Sequence, residues 1–356
     1  MNNKLLVIIL LLFCRVLYGQ KNINNYDMTC FCSARETPEG ILSYDNNLQI
    51  ILSLKDGLSK KELDSLQIPY TDSQLKLLRV YNLIRKENNK YYLTFPYLNK
   101  DQTLLLRNQS KQIADSITPL IENDAKDMVS FLASTGRSQN AFSIIFSYVL
   151  DGLVWNEFEE NGEIKPIDSN DDITPWTGFF WVLEPRREPK YGTNSLTDSI
   201  LSISFTNGGP YRLMNSLFIE EDLLRILLDN IRLSGKVTDR RVIEVFGKYN
   251  MFDNQGNVTI PIIRENNQSR LFLLSEKISD KICKGVLNDI SLDKTMHNYG
   301  FKSKEQTLII VYHEIMWDLL SNLVDKNILT KPLILENPKD AEMKDVSDLM
   351  FITEKE

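Results

Sequence analysis

Residues 58–96 read LSKKELDSLQIPYTDSQLKLLRVYNLIRKENNKYYLTFP, and this stretch decides the fold that the sequence predicts. Ser59 is followed three residues later by a glutamate, which is the spacing of a capping box at the start of a short helix. Asp72 is placed to cap a further helix. Segments 83–86 and 91–95 have the composition of strands, and the polar residues between them predict a hairpin turn.

An apolar segment at 47–54 predicts one more helix before this stretch, so the predicted order is three helices closed by a β-hairpin. This order resembles the winged-helix family, in which a helix-turn-helix is followed by a hairpin wing. The resemblance lies in TDSQL at 71–75, where the third helix starts, and in NNKYY at 88–92, in the wing. It implies a third helix that enters the major groove of DNA and a wing that contacts phosphates.

Part of the sequence recurs 165 residues later. Residues 110–117 read SKQIADSI, residues 275–282 read SEKISDKI, and Thr94-Phe95-Pro96 has the counterpart Thr259-Ile260-Pro261 at the same offset. Two amphipathic helices align at many offsets, because apolar residues recur every three or four positions. Helical periodicity does not explain the shared Thr-x-Pro, however, and we therefore predict an internal duplication.

The composition predicts a globular and mostly helical chain. Of the 356 residues, 42% are apolar and 25% charged, which excludes a disordered polymer, and 15 glycines and 12 prolines are few for a turn-dense all-β fold. The predicted class is mostly α with small β-hairpins (α+β), with two winged-helix-like repeats each followed by two longer helices. The further helices are predicted at 219–233 and 238–246 in the second repeat, and the longer ones at 101–133, 139–159, 268–290 and 303–326.

The chain is predicted to divide into six segments. Phe179–Leu183 and Ile200–Phe205 are strand-like, and we interpret them as the two strands of an aromatic hairpin between the repeats. The last segment is charged and is expected to be a loose tail. The boundaries are 1–19 for a signal peptide, 20–43 for an N-terminal segment, 44–163 for repeat 1 with its helical extension, 164–212 for the hairpin connector, 213–336 for repeat 2 with its extension and 337–356 for the tail.

The first residues have the order of a secretory signal. Lys4 precedes the apolar run Leu5–Phe13, which is too short for a stable membrane span, and cleavage is expected after Gly19. Cys14 also follows the apolar run, but Phe13 stands where a lipoprotein signal needs a small residue. We therefore expect a periplasmic or secreted protein, with membrane association only through an uncleaved leader.

Three cysteines follow the predicted leader, at Cys30, Cys32 and Cys283. An oxidising compartment permits one bridge, from Cys30 or from Cys32 to Cys283, and the sequence leaves the choice between them open. So few cysteines indicate that the core, rather than a disulfide framework, stabilises the fold.

Charge weighs against the DNA-binding function that the resemblance implies. Residues 55–98 carry eight basic and five acidic groups, whereas residues 220–263 carry six basic and seven acidic ones. A DNA reader directs several cations at phosphates. Nucleic acid is therefore an unlikely partner, and a winged-helix regulator with an uncleaved N-terminal segment is kept as the alternative.

The sequence holds no glycine-rich nucleotide motif and no nucleophile elbow, and it predicts no cofactor and no metal site. The sequence has only two histidines, which is few for a zinc site. The polar residues that stand out are His313, Glu314 and Asp318, because they interrupt an apolar helix. As catalytic candidates they would form a small acid/base cluster. The structural interpretation is that His313 packs at the helix edge while the carboxylates meet solvent or an arginine.

A second candidate site is the aromatic run around Trp176, Phe179, Phe180 and Trp181, which could present a binding platform for a carbohydrate or peptide. The alternative is core packing under the hairpin. The function that the sequence favours is a non-catalytic interaction or scaffold module of the periplasm or cell envelope with a protein or peptide partner. An enzyme that uses His313, Glu314 and Asp318 is the second alternative.

Overall fold

The structure, a computed structural model, describes residues 25–34, 37–167, 175–196, 200–206, 213–214, 217 and 220–355. The predicted signal peptide, residues 1–19, lies outside these residues. The chain is 58% helical with 17% strand in small sheets, which confirms the predicted mostly α, α+β class.

The described helices and strands are numbered here in chain order. The α-helices are α1 Pro38–Ser43, α2 Asn47–Ser53, α3 Lys60–Ser65, α4 Asp72–Val80, α5 Lys100–Ser134, α6 Ala141–Ser143, α7 Val154–Glu160, α8 Glu221–Ser234, α9 Arg240–Phe246, α10 Arg270–Asp289, α11 Leu292–Tyr299, α12 Lys304–Asp325 and α13 Leu333–Glu336. A π-helix, Ile144–Leu153, joins α6 to α7. The strands are β1 Asp27–Ala34, β2 Leu58–Ser59, β3 Ile84–Glu87, β4 Lys90–Leu93, β5 Tyr97–Leu98, β6 Trp176–Leu183, β7 Tyr191–Leu196, β8 Leu201–Thr206, β9 Ile262–Glu265 and β10 Met350–Lys355.

The chain divides into two compact units, and neither coincides with one predicted repeat. Unit 1 contains the described residues up to 106 together with 165–187 and 292–310. Unit 2 contains residues 107–164, 188–291 and 311–356. The units are discontinuous because their sheets pair strands that are far apart in the sequence.

In unit 1, the predicted element order over residues 58–96 is present. Ser59 and the Glu62 side chain form the expected capping box at the start of α3. The cap of α4 is Thr71 rather than the predicted Asp72, because Thr71 has extended backbone and its hydroxyl accepts from the N–H of Gln74. Strands β3 and β4 are antiparallel across a two-residue turn, and β2 pairs with the other edge of β4.

The second sheet of unit 1 has the order β1-β6-β5, which corrects the predicted aromatic hairpin. Strand β6 contains Phe179–Leu183 but pairs antiparallel with β1 and parallel with β5. The predicted partner segment, Ile200–Phe205, contributes instead to β8, which forms a hairpin with β7 in unit 2. A strand pattern indicates an extended segment but does not identify its neighbour.

In unit 2, α8 and α9 lie where helices were predicted, but the second copy departs from the order of the first. Between Leu58 and Ile84 the first copy has two helices, whereas α9 is the one α-helix between Lys236 and Phe252. Bridges join Lys236 to Asn257 and Phe252 to Val258, where the second hairpin was predicted. The shorter connection leaves room for a single helix and a 3-10 turn.

The predicted loose tail is wrong. Residues Met350–Lys355 form β10, the strand between β8 and β9 in the order β7-β8-β10-β9. Its first three side chains are fully buried, with Phe351 at 1% exposure, and the preceding 3-10 helix Met343–Leu349 buries Val346. Charged residues flank this short apolar run, so the segment as a whole has the composition of an exposed tail. The apolar run is nevertheless long enough for a central strand.

The two Thr-x-Pro segments make the same local contacts. The hydroxyls of Thr94 and Thr259 donate to the main-chain carbonyls of Asn82 and Asn250, respectively. Both asparagines have positive φ, 50° and 55°. The strands that follow, β5 and β9, pair in parallel with β6 and β10, so the same local topology occurs in each unit.

A cation contacts each of these segments. Lys302 Nζ donates to the carbonyl of Thr94, and Arg137 Nε donates to the carbonyl of Thr259 at 2.8 Å. Residues 137 and 302 are again 165 apart, and each cation belongs to the other copy of the predicted repeat. Burial lowers the pKa of both side chains. The internal duplication itself stays a prediction.

The four longer helices were predicted to within a few residues. They are α5, then the continuous run of α6, the π-helix and α7, and then α10 and α12. Helix α12, Lys304–Asp325, is long and apolar enough to cross a membrane, but 89% of its apolar 18-residue stretch is buried inside the protein. It is therefore packed as a core helix, and its polar side chains must find partners within the protein.

Helices α5 and α10 approach closely at Gly285, and this contact gives a test of the packing. A Cβ at Gly285 would lie 2.7 Å from Cγ1 of Ile117. We expect Gly285→Ala to lower the free energy of unfolding by about 1–3 kcal/mol, although alanine is the better helix former. Gly247→Ala is the control, because its Cβ meets nothing within 4 Å and it should leave stability unchanged or raise it. Urea denaturation measures both, and an equally stable Gly285→Ala protein would contradict the close approach.

Candidate functional site

Glu314, one of the predicted catalytic candidates, lies in the middle of α12 and is 1% exposed. Its Oε2 accepts a hydrogen bond from Nε of Arg107 on α5, at 2.8 Å. The side chain of Arg107 is 16% exposed, so the ion pair is largely removed from water. Of the partners that the sequence allowed for this carboxylate, solvent or an arginine, the structure has the arginine.

Asp318 lies one turn further along α12, and its Oδ2 accepts from the hydroxyl of Ser110 at 2.6 Å. Another turn on, the Asn322 side-chain amide donates to Asp115 and Thr118 of α5. The polar residues of α12 therefore form a hydrogen-bonded seam against one face of α5. Part of this seam comes from residues 110–117, one of the two segments on which the predicted repeat is based.

His313 packs among aromatic rings. Its ring centroid lies 4.9 Å from that of Trp155 and 6.1 Å from that of Trp317. His313 is 6% exposed. On Trp317, Lys190 Nζ lies 5.4 Å from the ring centroid. The three candidates thus have separate environments: an aromatic one for His313, an ion pair for Glu314 and a hydroxyl partner for Asp318.

A partly buried acid that the sequence did not single out lies on the π-helix. Asp151 Oδ2 accepts from the Thr193 hydroxyl at 2.8 Å, and Oδ1 lies 3.4 Å from Nε1 of Trp155. Burial raises the pKa of Asp151 to about 6, against the smaller lowering effect of these two hydrogen bonds. The sequence did not indicate the π-helix, because the segment is apolar nearly throughout and so shows no distinguishing period. Such segments are common at functional sites.

The four aromatic candidates do not form one platform. They lie on β6, where alternate residues point to opposite faces, so Trp176 and Phe180 are separated from Phe179 and Trp181. Phe180 and Trp181 are each 1% exposed, and Phe180 packs edge-on against Phe95 with ring centroids 4.7 Å apart. Trp176 is half-buried and donates through Nε1 to the carbonyl of Tyr81 at 2.7 Å. Core packing, the alternative interpretation, describes Phe180 and Trp181.

Three of the eight basic residues in segment 55–98 form ion pairs with acids of the same segment. This arrangement leaves fewer cations to direct at phosphates, in line with the charge balance of the sequence. The ion pairs join Lys60 to Asp72 at 2.5 Å, Arg85 to Glu87 at 2.7 Å and Lys90 to Glu62 at 3.3 Å.

Unit 2 has a cationic groove that the sequence did not indicate. A cavity of about 480 Å³ lies between the C-terminal end of α5, strand β9 and the first turn of α10. Three arginines line it, Arg137, Arg264 and Arg270, and among the described residues that line it none is acidic. Its apolar wall includes Phe131 and Leu271. We call this feature the arginine groove.

The three guanidinium groups have different partners. Arg137 is half-buried, and its Nε and Nη2 donate to the carbonyls of Thr259 and Val258. Arg264 is 60% exposed and pairs with Glu354 on the neighbouring strand at 3.0 Å. The guanidinium of Arg270 lies 5.4 Å from the ring centroid of Phe131.

No family model, no curated protein and no solved structure matches this chain. The functional proposal therefore rests on the described residues themselves.

The cysteines differ in their environments: a hydrogen bond with Cys30 lowers the pKa of Cys32, whereas Cys283 is buried. Cys30, Cys32 and Cys283 are all thiols in the structure, so the predicted bridge is not formed. Burial, with nearby carboxylates, raises the pKa of Cys283 to about 11, which disfavours its reactive thiolate. Within the part of the chain that the structure describes, no three His, Cys, Asp or Glu side chains are grouped so that they could hold a metal ion.

Proposed function

We propose that this protein is an exported, non-catalytic interaction module of the periplasm or cell envelope, which binds a protein or peptide partner through the arginine groove. The observation that carries the proposal is the groove itself, an open cavity with three arginines and an apolar wall. Interface sites commonly combine arginine with apolar and aromatic side chains in this way.

The environments of the catalytic candidates support the non-catalytic part of the proposal. A general acid or base must reach the substrate within hydrogen-bond distance. Glu314 is bonded to Arg107 and Asp318 to Ser110, and each carboxylate stabilises the packing of α12 against α5. The export part rests on the order of charged, apolar and small residues over 1–19.

Export is tested by fractionating cells that make the full chain and sequencing the N-terminus of the purified protein. We expect protein outside the cytosol that begins at Gln20. Cytosolic protein that still carries Met1 would overturn the export proposal.

Interaction is tested with the mature protein as bait in an envelope extract, followed by reconstitution of any captured partner from purified components. The expected result is a complex of defined stoichiometry. If none can be reconstituted, while a panel of small metabolites is turned over and turnover disappears in Glu314→Gln, the enzyme alternative replaces the proposal.

A further inference from the structure

The arginine groove also indicates what chemistry the partner carries. Resting on the proposed function, we propose that the groove binds the carboxylates of an acidic peptide segment, with apolar side chains of the same segment against its wall. Arginine presents planar pairs of N–H donors that match a carboxylate in a bidentate geometry. Arg264 is already paired with Glu354, so Arg137 and Arg270 provide most of the complementary charge for an incoming carboxylate.

Only one of these three cations has a basic counterpart at the 165-residue offset. At the 165-residue offset the counterpart of Arg137 is Lys302, and both side chains bind a Thr-x-Pro carbonyl. The counterparts of Arg264 and Arg270 are Asn99 and Leu105. Unit 1 forms its parallel β5–β6 pair with these uncharged residues, so a parallel pair of this kind does not depend on arginines at the two positions.

Among the described residues, the charge of Arg137 has no carboxylate partner. Burial lowers the pKa of this guanidinium, and its described partners are two neutral carbonyls rather than a carboxylate. A buried charge of this kind is stabilised by an anion that can reach it. The cavity gives an anion access to the guanidinium from the groove.

Negative charge would also stabilise the start of α10. Helix N-termini favour negative charge, yet the first turn of α10 has no acid and begins with Arg270. Ser269 caps the helix by accepting from the N–H of Phe272. An incoming carboxylate would compensate both the arginine and the helix terminus, as anions do at other helix starts.

The apolar wall and the size of the groove favour a peptide over a small anion. Phe131 and Ile262, which are partly exposed, contribute apolar surface beside the charges. A cavity of about 480 Å³ falls within the range of sites that enclose larger ligands. A free phosphate would leave this apolar surface in water, whereas the side chains of a short acidic peptide can cover it.

The test uses the mature full chain and a blocked peptide of alternating glutamate and leucine, with the glutamine–leucine analogue as the uncharged control. Titration calorimetry compares wild type with the double variant Arg264→Gln, Arg270→Gln, which keeps Arg137 and its structural contact. The matched control is Arg240→Gln, Arg241→Gln, two exposed arginines of the same unit outside the groove.

We expect the glutamate peptide to bind wild type and the control variant alike, and the groove variant about tenfold more weakly, as for the loss of a charge-assisted bond. The glutamine analogue should not bind detectably. Equal affinities for the three proteins, no binding of the glutamate peptide, or equal binding of the two peptides would overturn the inference. Inorganic phosphate that binds at the groove more tightly than the peptide would also overturn it, in favour of a phosphoryl ligand.

This result and the proposed function can fail separately. If a reconstituted partner binds wild type and the groove variant equally, the interaction function stands and the groove is not its site. If the glutamate peptide binds at the groove but no partner complex can be reconstituted, the acidic-peptide site stands without the proposed interaction function.

Discussion

Replacing Arg107 with alanine should lower the free energy of unfolding by about 3–5 kcal/mol, because it leaves the Glu314 carboxylate buried without its cation. Glu314 is 1% exposed and cannot recover water without moving α12. Urea denaturation of the two proteins at neutral pH measures the change.

Two further variants separate the pair from the arginine alone. Lys111→Ala removes an exposed ion pair with Asp115 and a hydrogen bond to Asn322, and should cost less than Arg107→Ala, roughly 1–2 kcal/mol. The double variant Arg107→Met, Glu314→Leu removes both charges and should recover most of the lost stability. If Arg107→Ala were no less stable than Lys111→Ala, Glu314 would have to be solvated, and the enzyme alternative would regain its candidate acid.

Asp151→Asn should be more stable than wild type in alkaline solution, and this advantage should disappear in acidic solution. The pKa of Asp151 is raised by burial from 3.8 to about 6, so the folded protein binds this proton more tightly than the unfolded chain. The resulting stability is complete below about pH 4 and is lost as the pH rises through 6. Above that pH, the ionised carboxylate costs roughly 3 kcal/mol, which asparagine removes.

The measurement is the thermal midpoint of both proteins between pH 4 and pH 8. The difference in favour of Asp151→Asn should be small at pH 4 and largest at pH 8. Burial and the nearby Asp345 also raise the pKa of Asp348 to about 6, so the wild-type curve contains both acids. The comparison with Asp151→Asn isolates the contribution of Asp151. A difference in thermal midpoint that does not change with pH would contradict the raised pKa of Asp151.

The local elements of the fold were predictable because their signals lie within a few residues of one another. The spacing of Ser59 and Glu62 indicated a capping box that the structure has, and the long helices follow the apolar period of the sequence. The sheet partners were not predictable in the same way. Phe179–Leu183 was correctly expected to be a strand, but its partner β1 lies about 150 residues earlier, and nothing in either segment identifies the other.

The same distinction applies to the sites. Glu314 and Asp318 could be singled out because they interrupt an apolar helix, and the sequence allowed an arginine partner without identifying Arg107. The arginine groove had no local signal, because Arg137, Arg264 and Arg270 are ordinary charged residues in their own segments. They become a site only when β9 and the start of α10 meet the end of α5.

The position of β10 has a consequence for the folding rate. This strand separates β8 from β9, so Ile352 is paired with Leu201 on one side and Ile262 on the other. Its contacts close loops of roughly 150 and 90 residues, and such non-local pairing slows folding. Until β10 is in place, β8 and β9 each present an unpaired edge, which is the form of a sheet most exposed to association with other chains.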